Sequence, residues 1–232
     1  MTAILSNMQA VRADIANAAR MAHREAAQIS LLAVSKTVPP QTIREAYGYG
    51  QYAFGENYVQ EALDKMQLLQ DLPLEWHFIG PIQSNKTRLI AENFSWVHSV
   101  DRLKIAQRLS EQRPSALPAL NICLQVNVSD ESTKGGVAIH EVDQLAQAIS
   151  ILPRLKLRGL MAIPAPAVEM HAQRAPYAKM HALLTKLNTE GLNMDTLSMG
   201  MSHDLTAAIL EGATIVRVGT AIFGRRSGFN PT

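Results

Sequence analysis

Short apolar runs and longer stretches of helical period alternate along this chain. Over residues 2–28, Ile4, Leu5, Met8, Val11, Ile15, Ala18, Ala19 and Ala22 recur at helical spacing and predict an alanine-rich amphipathic helix. Residues 31–34 form a compact apolar run with a β-branched residue, which predicts a buried strand ending at Lys36, before Pro39 and Pro40. Helical character over 41–47 stops at Gly48 and Gly50. A strand at 52–55 then leads into a helix with Tyr58, Ala62, Met66 and Leu69 on one face. Further strands are predicted at 76–79, 96–100, 119–128, 155–163, 196–201 and 213–218. Helices separate them: SNKTRLIAENF, LKIAQRLSEQ with Asp101 as expected N-cap, 140–152, a long one ending at Glu190, and one capped by Ser202 and running to Leu210.

Eight strands alternating with helices, with no linker or low-complexity tract, have the rhythm of a parallel sheet. In one domain spanning 1–232 they predict a closed (β/α)8 TIM barrel, near the lower end of that fold's length. An open, doubly wound sheet is the alternative. The chain ends soon after the eighth strand, so the last helix is expected to be short or missing, with the N-terminal helix covering the gap.

Composition narrows the picture mainly by exclusion. A formal charge of +2 with no basic block gives no argument for a nucleic-acid or membrane partner. No apolar stretch is long enough to span a bilayer, and no signal or transit layout opens the chain, so a cytoplasmic location is expected. The single cysteine, Cys123, permits no internal disulfide and sits in an apolar run as a small hydrophobe.

In such barrels chemistry gathers where strands end. Those ends carry no His/carboxylate cluster at metal-ligand spacing, no nucleophile elbow and no P-loop. They do carry Lys36 after the first strand. Ser202 follows the seventh, and Gly219 and Thr220 follow the eighth, the pair of loops that often cups a phosphate. Ser202 alone reads as a helix cap and Gly219 alone as a turn. Alternation puts Ile215, Arg217 and Gly219 on one face of the eighth strand; if that face is inward, Arg217 needs an acceptor there, and if outward it is a surface charge. An amine, a phosphate cup and an inward arginine together suggest pyridoxal 5′-phosphate (PLP). A neutral amine is needed to attack its aldehyde, so a lowered lysine pKa would help. An arginine facing the pyridine nitrogen keeps that nitrogen unprotonated, because the guanidinium does not release its proton.

The segments AVSKTVP, FGENYVQEALDK, WHFIGPIQSNK, RGLMAIP, LSMGMS and VRVGTAIFG, in this order, resemble the YggS/PROSC family of PLP homeostasis proteins from about Leu31 to Gly224. The resemblance implies a single barrel similar to the N-terminal domain of alanine racemase, with PLP in Schiff-base linkage to Lys36. It implies Ser202, Gly219 and Thr220 at the phosphate, Arg217 at the pyridine nitrogen, and Asn57, Met161 and Met199 along the ring. It also implies a role in binding, buffering or delivering PLP, with apo-PLP enzymes as acceptors and amino-acid metabolism affected indirectly. His203-Asp204 departs from the family, which more often has an acidic residue directly after the serine. His203 near the phosphate is one reading of that change. Lys134 is raised as a secondary PLP contact, against a plain loop lysine. His77 and His98 read as satisfied core or rim histidines, and Trp76 with Phe78 as aromatic packing.

The rival function is a PLP-dependent racemase or related enzyme. That chemistry needs a second base opposite Lys36. In the racemases it comes from a partner's C-terminal domain, which this chain is not expected to have. Tyr47, Tyr49, Tyr52, Tyr58 and Tyr177 are the substitutes to weigh, and none marks a clear inward strand end. A carrier, expected as a monomer, is the favoured reading.

Overall fold

The computed structural model describes residues 2–129 and 135–224. The strands are β1 (Ser30–Val34), β2 (Ala53–Glu56), β3 (Glu75–Phe78), β4 (Trp96–Val100), β5 (Leu120–Asn127), β6 (Val137–Ala138), β7 (Leu155–Met161), β8 (Thr196–Ser198) and β9 (Ile215–Val218). All pair in parallel, in the order β4-β3-β2-β1-β9-β8-β7-β5, and a β4–β5 pairing closes the ring into an eight-stranded barrel. The two-residue β6, which the sequence pattern does not announce, adds to the end of β5 outside that ring.

The helices are α1 (Ala3–Met21), α2 (Pro40–Gly48), α3 (Val59–Leu68), α4 (Thr87–Asn93), α5 (Leu103–Gln112), α6 (Val142–Ser150), α7 (Met170–Thr189), α8 (Leu205–Leu210) and α9 (Thr220–Phe223). Among the described residues the last helix is a single turn, as expected. α1 packs on α8 and α9 and covers the gap, burying Met8, Val11 and Ile15 at about 1.5–3 kcal/mol each. Asn7 of α1 also donates to the Ile222 carbonyl of α9 (2.9 Å).

Alternation along each strand divides the core in two. The larger cluster lies between sheet and helices and includes Ala33, Phe54, Val97, Leu160, Leu197, Met199, Val216 and Val218. The smaller one fills the barrel: Leu32, Trp96, Cys123, Met161 and Ile215, with Ala53 and Ile79 against it. Burial pushes the Cys123 thiol up to about 12, so it is an inert core group, as its apolar setting predicts.

Several local expectations are corrected. α1 ends at Met21 and a separate 3-10 turn, Ala26–Gln28, leads to β1. Asp101 does not cap α5; Arg102 holds the N-cap position and bonds the Asp101 carboxylate (3.0 and 3.2 Å). Ser202 does not cap α8, because the helix starts later, at Leu205, with Asp204 at the N-cap position. β8 stops at Ser198, short of 201. On α3 the inward face carries Val59, Ala62 and Lys65, while Tyr58 is exposed at the helix start.

Candidate functional site

Every strand of the ring points the same way, so the strand-end residues gather at one mouth. Val34 of β1 pairs with Gly55 of β2, and Lys36 and Asn57 each lie two residues beyond, at the same level. On the other side β1 pairs with β9 through Leu32–Arg217 and Ala33–Val218, which carries Gly219 and Thr220 to the mouth beside Lys36. Met161, the last residue of β7, pairs with Ser198 of β8 and lies in the interior cluster.

Lys36 stands on a turn fixed from behind. Thr37 has φ +60°, an uncommon conformation for a β-branched residue, which the surroundings must hold in place. The Val38 N–H bonds the Ser35 carbonyl (2.9 Å), and the Thr37 N–H donates to Glu61 Oε1 (2.5 Å). Lys65 Nζ, nearly fully buried, donates to the Ser35 carbonyl (2.7 Å), Glu56 Oε1 (2.8 Å) and Glu61 Oε1 (2.5 Å). Ser35 Oγ donates to Glu56 Oε1 (2.6 Å). Burial raises the Glu56 pKa, opposed by the Lys65 ammonium and the Ser35 hydroxyl.

Arg217 points into the barrel and is 4% exposed. Nη1 donates to the Ser198 carbonyl (2.6 Å) and Ser198 Oγ (2.8 Å), and Nη2 to the Ala162 carbonyl (3.0 Å). These contacts satisfy the acceptor requirement of a buried guanidinium while leaving donor capacity unused among the described residues, since arginine carries five N–H groups. Of the two faces that alternation leaves open for Arg217, the inward one is observed.

The turn after β8 carries Ser202, half-buried, and exposed His203. Asp204 holds it: Oδ1 accepts from the Met201 N–H (2.6 Å) and Oδ2 from the Tyr177 hydroxyl (2.7 Å). Burial and the Asp204 charge push the Tyr177 hydroxyl well above the usual phenol range. Met199 is fully buried in the layer between sheet and helices, so the structure does not bring it to the interior with Met161. Lys134 lies outside the described residues.

At the mouth the Asn57 side-chain oxygen is buried without a hydrogen-bond partner among the described residues, as suits a group that a ligand satisfies. It borders a cavity of about 210 Å³ with Tyr58, Phe78, Pro81, Gln83 and Lys86. Gly80 keeps this corner closed, since a Cβ there would stand 2.2 Å from the Asn57 carbonyl oxygen. A larger cleft at the opposite end, lined by Arg12, Ile29 and Gln51 among others, meets strand beginnings and carries none of the strand-end chemistry. Among the described residues no set of histidine, cysteine and carboxylates is placed to hold a metal ion, and no helix is long and apolar enough to cross a membrane.

Two histidines fill the barrel below Arg217. His77 and His98 are buried and hydrogen-bonded to each other (2.9 Å), which agrees with reading them as satisfied core groups. Desolvation lowers both pKa values, His98 well below the usual range. Folded-state values below the unfolded one mean that the unfolded chain binds more protons once pH falls through about 6.5. Stability is therefore expected to fall with pH below that point, by at most about 2.7 kcal/mol per pH unit for the pair. Urea melts between pH 8 and 5 measure it, and a His77→Gln/His98→Gln variant that still folds should flatten the dependence; an unchanged slope would contradict it. Glu56, whose pKa burial raises, acts in the opposite sense.

Comparison with known proteins agrees with this fold. Residues 6–227 match the family described as alanine racemase, N-terminal domain. A pyridoxal phosphate homeostasis protein of Pseudomonas aeruginosa is 62% identical over 97% of both chains. That of Escherichia coli K12 is 53% identical over 97% of this chain and 98% of its own. Among solved structures, PipY of Synechococcus elongatus with PLP bound is 36% identical with a TM-score of 0.84, covering 95% of this chain and all of that one. Alanine racemase of Corynebacterium glutamicum, at 17% identity and TM-score 0.71, shares the fold over 97% of this chain and 61% of its own. The chain therefore belongs to the alanine racemase N-terminal domain family and, within it, to the pyridoxal phosphate homeostasis proteins.

Proposed function

We propose that the protein binds PLP at the barrel mouth, in Schiff-base linkage to Lys36, and serves intracellular PLP homeostasis by holding and releasing the cofactor. The observation that carries this reading is Arg217: buried, aimed inward, and in register with β1 four residues before Lys36. The relatives' names and the PLP in PipY support it.

When bound, PLP supplies an aldehyde for the amine and an electron-withdrawing ring. The chain's residues then divide the work. Arg217 donates to the ring nitrogen and keeps it unprotonated, which leaves the ring a weaker electron sink than a carboxylate partner would. Ser202, Gly219 and Thr220 hold the phosphate from the loops after β8 and β9. Asn57 meets the ring edge with its side-chain oxygen, which has no partner among the described residues, and Met161 covers a face. Met199 contributes only through the packing behind β8. Apo-PLP enzymes as acceptors, a monomeric state and a cytoplasmic setting complete the proposal.

Carrier is favoured over racemase by where the tyrosines lie. Tyr177 is buried and committed to Asp204. Tyr47 and Tyr52 stack edge to face on each other (5.3 Å), and the Tyr49 hydroxyl accepts from Thr2 (3.3 Å). Tyr58, beside Asn57, is the one next to the mouth. The experiment is to mix PLP-loaded protein with an apo-PLP enzyme, and separately with L-alanine in D2O. Restored activity of the acceptor without deuterium at the alanine Cα supports a carrier. Deuterium incorporation at rates of ordinary turnover would replace it with an enzyme.

A further inference from the structure

Below Arg217 a line of hydrogen bonds runs through the barrel to its opposite end. Ser198 Oγ lies 2.8 Å from Arg217 Nη1 and 2.7 Å from His98 Nδ1. His98 Nε2 is 2.9 Å from His77 Nδ1, and His77 Nε2 is 2.7 Å from Glu75 Oε1. Glu75 opens β3 with its carboxylate half exposed, so the line starts in solvent and ends at the guanidinium. Trp96 stacks flat on His77 (5.4 Å, 4° between planes), and Arg158 lies 4.7 Å over the Trp96 ring. Ser198, His77 and His98 are each no more than 3% exposed.

Proton bookkeeping gives the line one direction. The hydrogen bond from His77 lowers the Glu75 pKa, so the carboxylate is ionised and accepts. His77 then carries its proton on Nε2 and accepts on Nδ1 from His98 Nε2–H. His98 in turn accepts on Nδ1, and the only proton available there is that of Ser198, whose oxygen already accepts from Arg217. Each group donates to the next, Arg217 to Ser198 to His98 to His77 to Glu75, with both histidines neutral. The guanidinium charge at one end faces a carboxylate charge at the other, and successive bonds in such a chain polarise one another.

We propose that Ser198, His98 and His77 are positioning residues for the cofactor: they fix the Arg217 fork so that its remaining N–H groups meet the ring nitrogen. The inference rests on the PLP reading above and extends it to residues that do not touch the ligand. Reversing the line would require protonating Glu75 or a histidine and would leave the Ser198 hydroxyl without this acceptor. The arrangement is therefore preset for a ring nitrogen that accepts, not one that donates.

The test compares PLP with its 1-deaza analogue, in which carbon replaces the ring nitrogen. Ser198→Ala removes the hydroxyl but keeps the backbone carbonyl that also receives Arg217. PLP should bind about tenfold more weakly, about 1.4 kcal/mol, with the deaza analogue unchanged, and Ser198→Thr should restore affinity. His98→Phe, which keeps a ring in the barrel but loses the acceptor for Ser198, should show the same nitrogen-specific loss. Thermal melts confirm that each variant is folded. Equal losses for both ligands, or no loss for either, in folded variants would overturn the positioning role. Failure of the unsubstituted protein to bind PLP at all would instead overturn the functional reading beneath it.

Discussion

Replacing Lys65 by methionine is expected to destabilise the protein by about 3–5 kcal/mol, the cost of leaving buried charge without its partner. The substitution keeps the length of the stem but removes the ammonium that joins Glu56, Glu61 and the Ser35 carbonyl. Glu56 is fully buried and already has one carboxylate oxygen without a hydrogen bond among the described residues, so the variant must protonate it, hydrate it or unfold. For a barrel of this size the melting temperature should fall by about 6–20 °C. Glu56→Gln added to Lys65→Met should recover part of the loss, because it removes the stranded charge. A melt unchanged within error would show that the network is not electrostatically closed. The functional consequence is local: Ser35 and Thr37, the two residues flanking Lys36, are both tied to this network.

Gly159→Ala is the second large effect. In β7, Gly159 pairs with Thr196 of β8, and a Cβ at Gly159 would stand 1.8 Å from the Thr196 carbonyl oxygen. No flexible side chain can give way there, because the obstacle is backbone. The cost should lie at or beyond the upper end of the about 1–3 kcal/mol typical of overpacking. The same pair of strands carries Met161 and Ser198 two residues further on, so a variant that folds should also lose PLP affinity. Denaturant melts with a PLP titration read both quantities. Full stability would mean that β7 and β8 are not packed this closely.

What is legible in the sequence follows from period and strand position. Strand and helix alternation gave the ring, and period two on the last strand put Arg217 on one face with Ile215 and Gly219, because neither depends on partners far along the chain. Lys36 was legible as a charged residue where a buried strand surfaces. Lys65 was not: a lysine among helix formers reads as solvated, and its partners come from β1, β2 and the first turn of α3. Nor was the line beneath Arg217 legible. His98 and Ser198 are 100 residues apart, and each alone is an ordinary core polar group. Met199 along the ring is what the family resemblance implies; with β8 ending at Ser198, inward Ser198 puts its neighbour on the helix side. Asp204 was noticed only as a departure from the family pattern, although a carboxylate just before a helix signals a turn anchor.

The measurement that bears most directly on the central claim is the visible spectrum of the protein supplied with PLP, before and after borohydride, with peptide mapping of the reduced product. The account predicts a yellow band that borohydride abolishes, one pyridoxyl group on the peptide carrying Lys36, and neither in Lys36→Ala. A folded protein that stays colourless in the presence of PLP, or an adduct that maps elsewhere and survives Lys36→Ala, would contradict it.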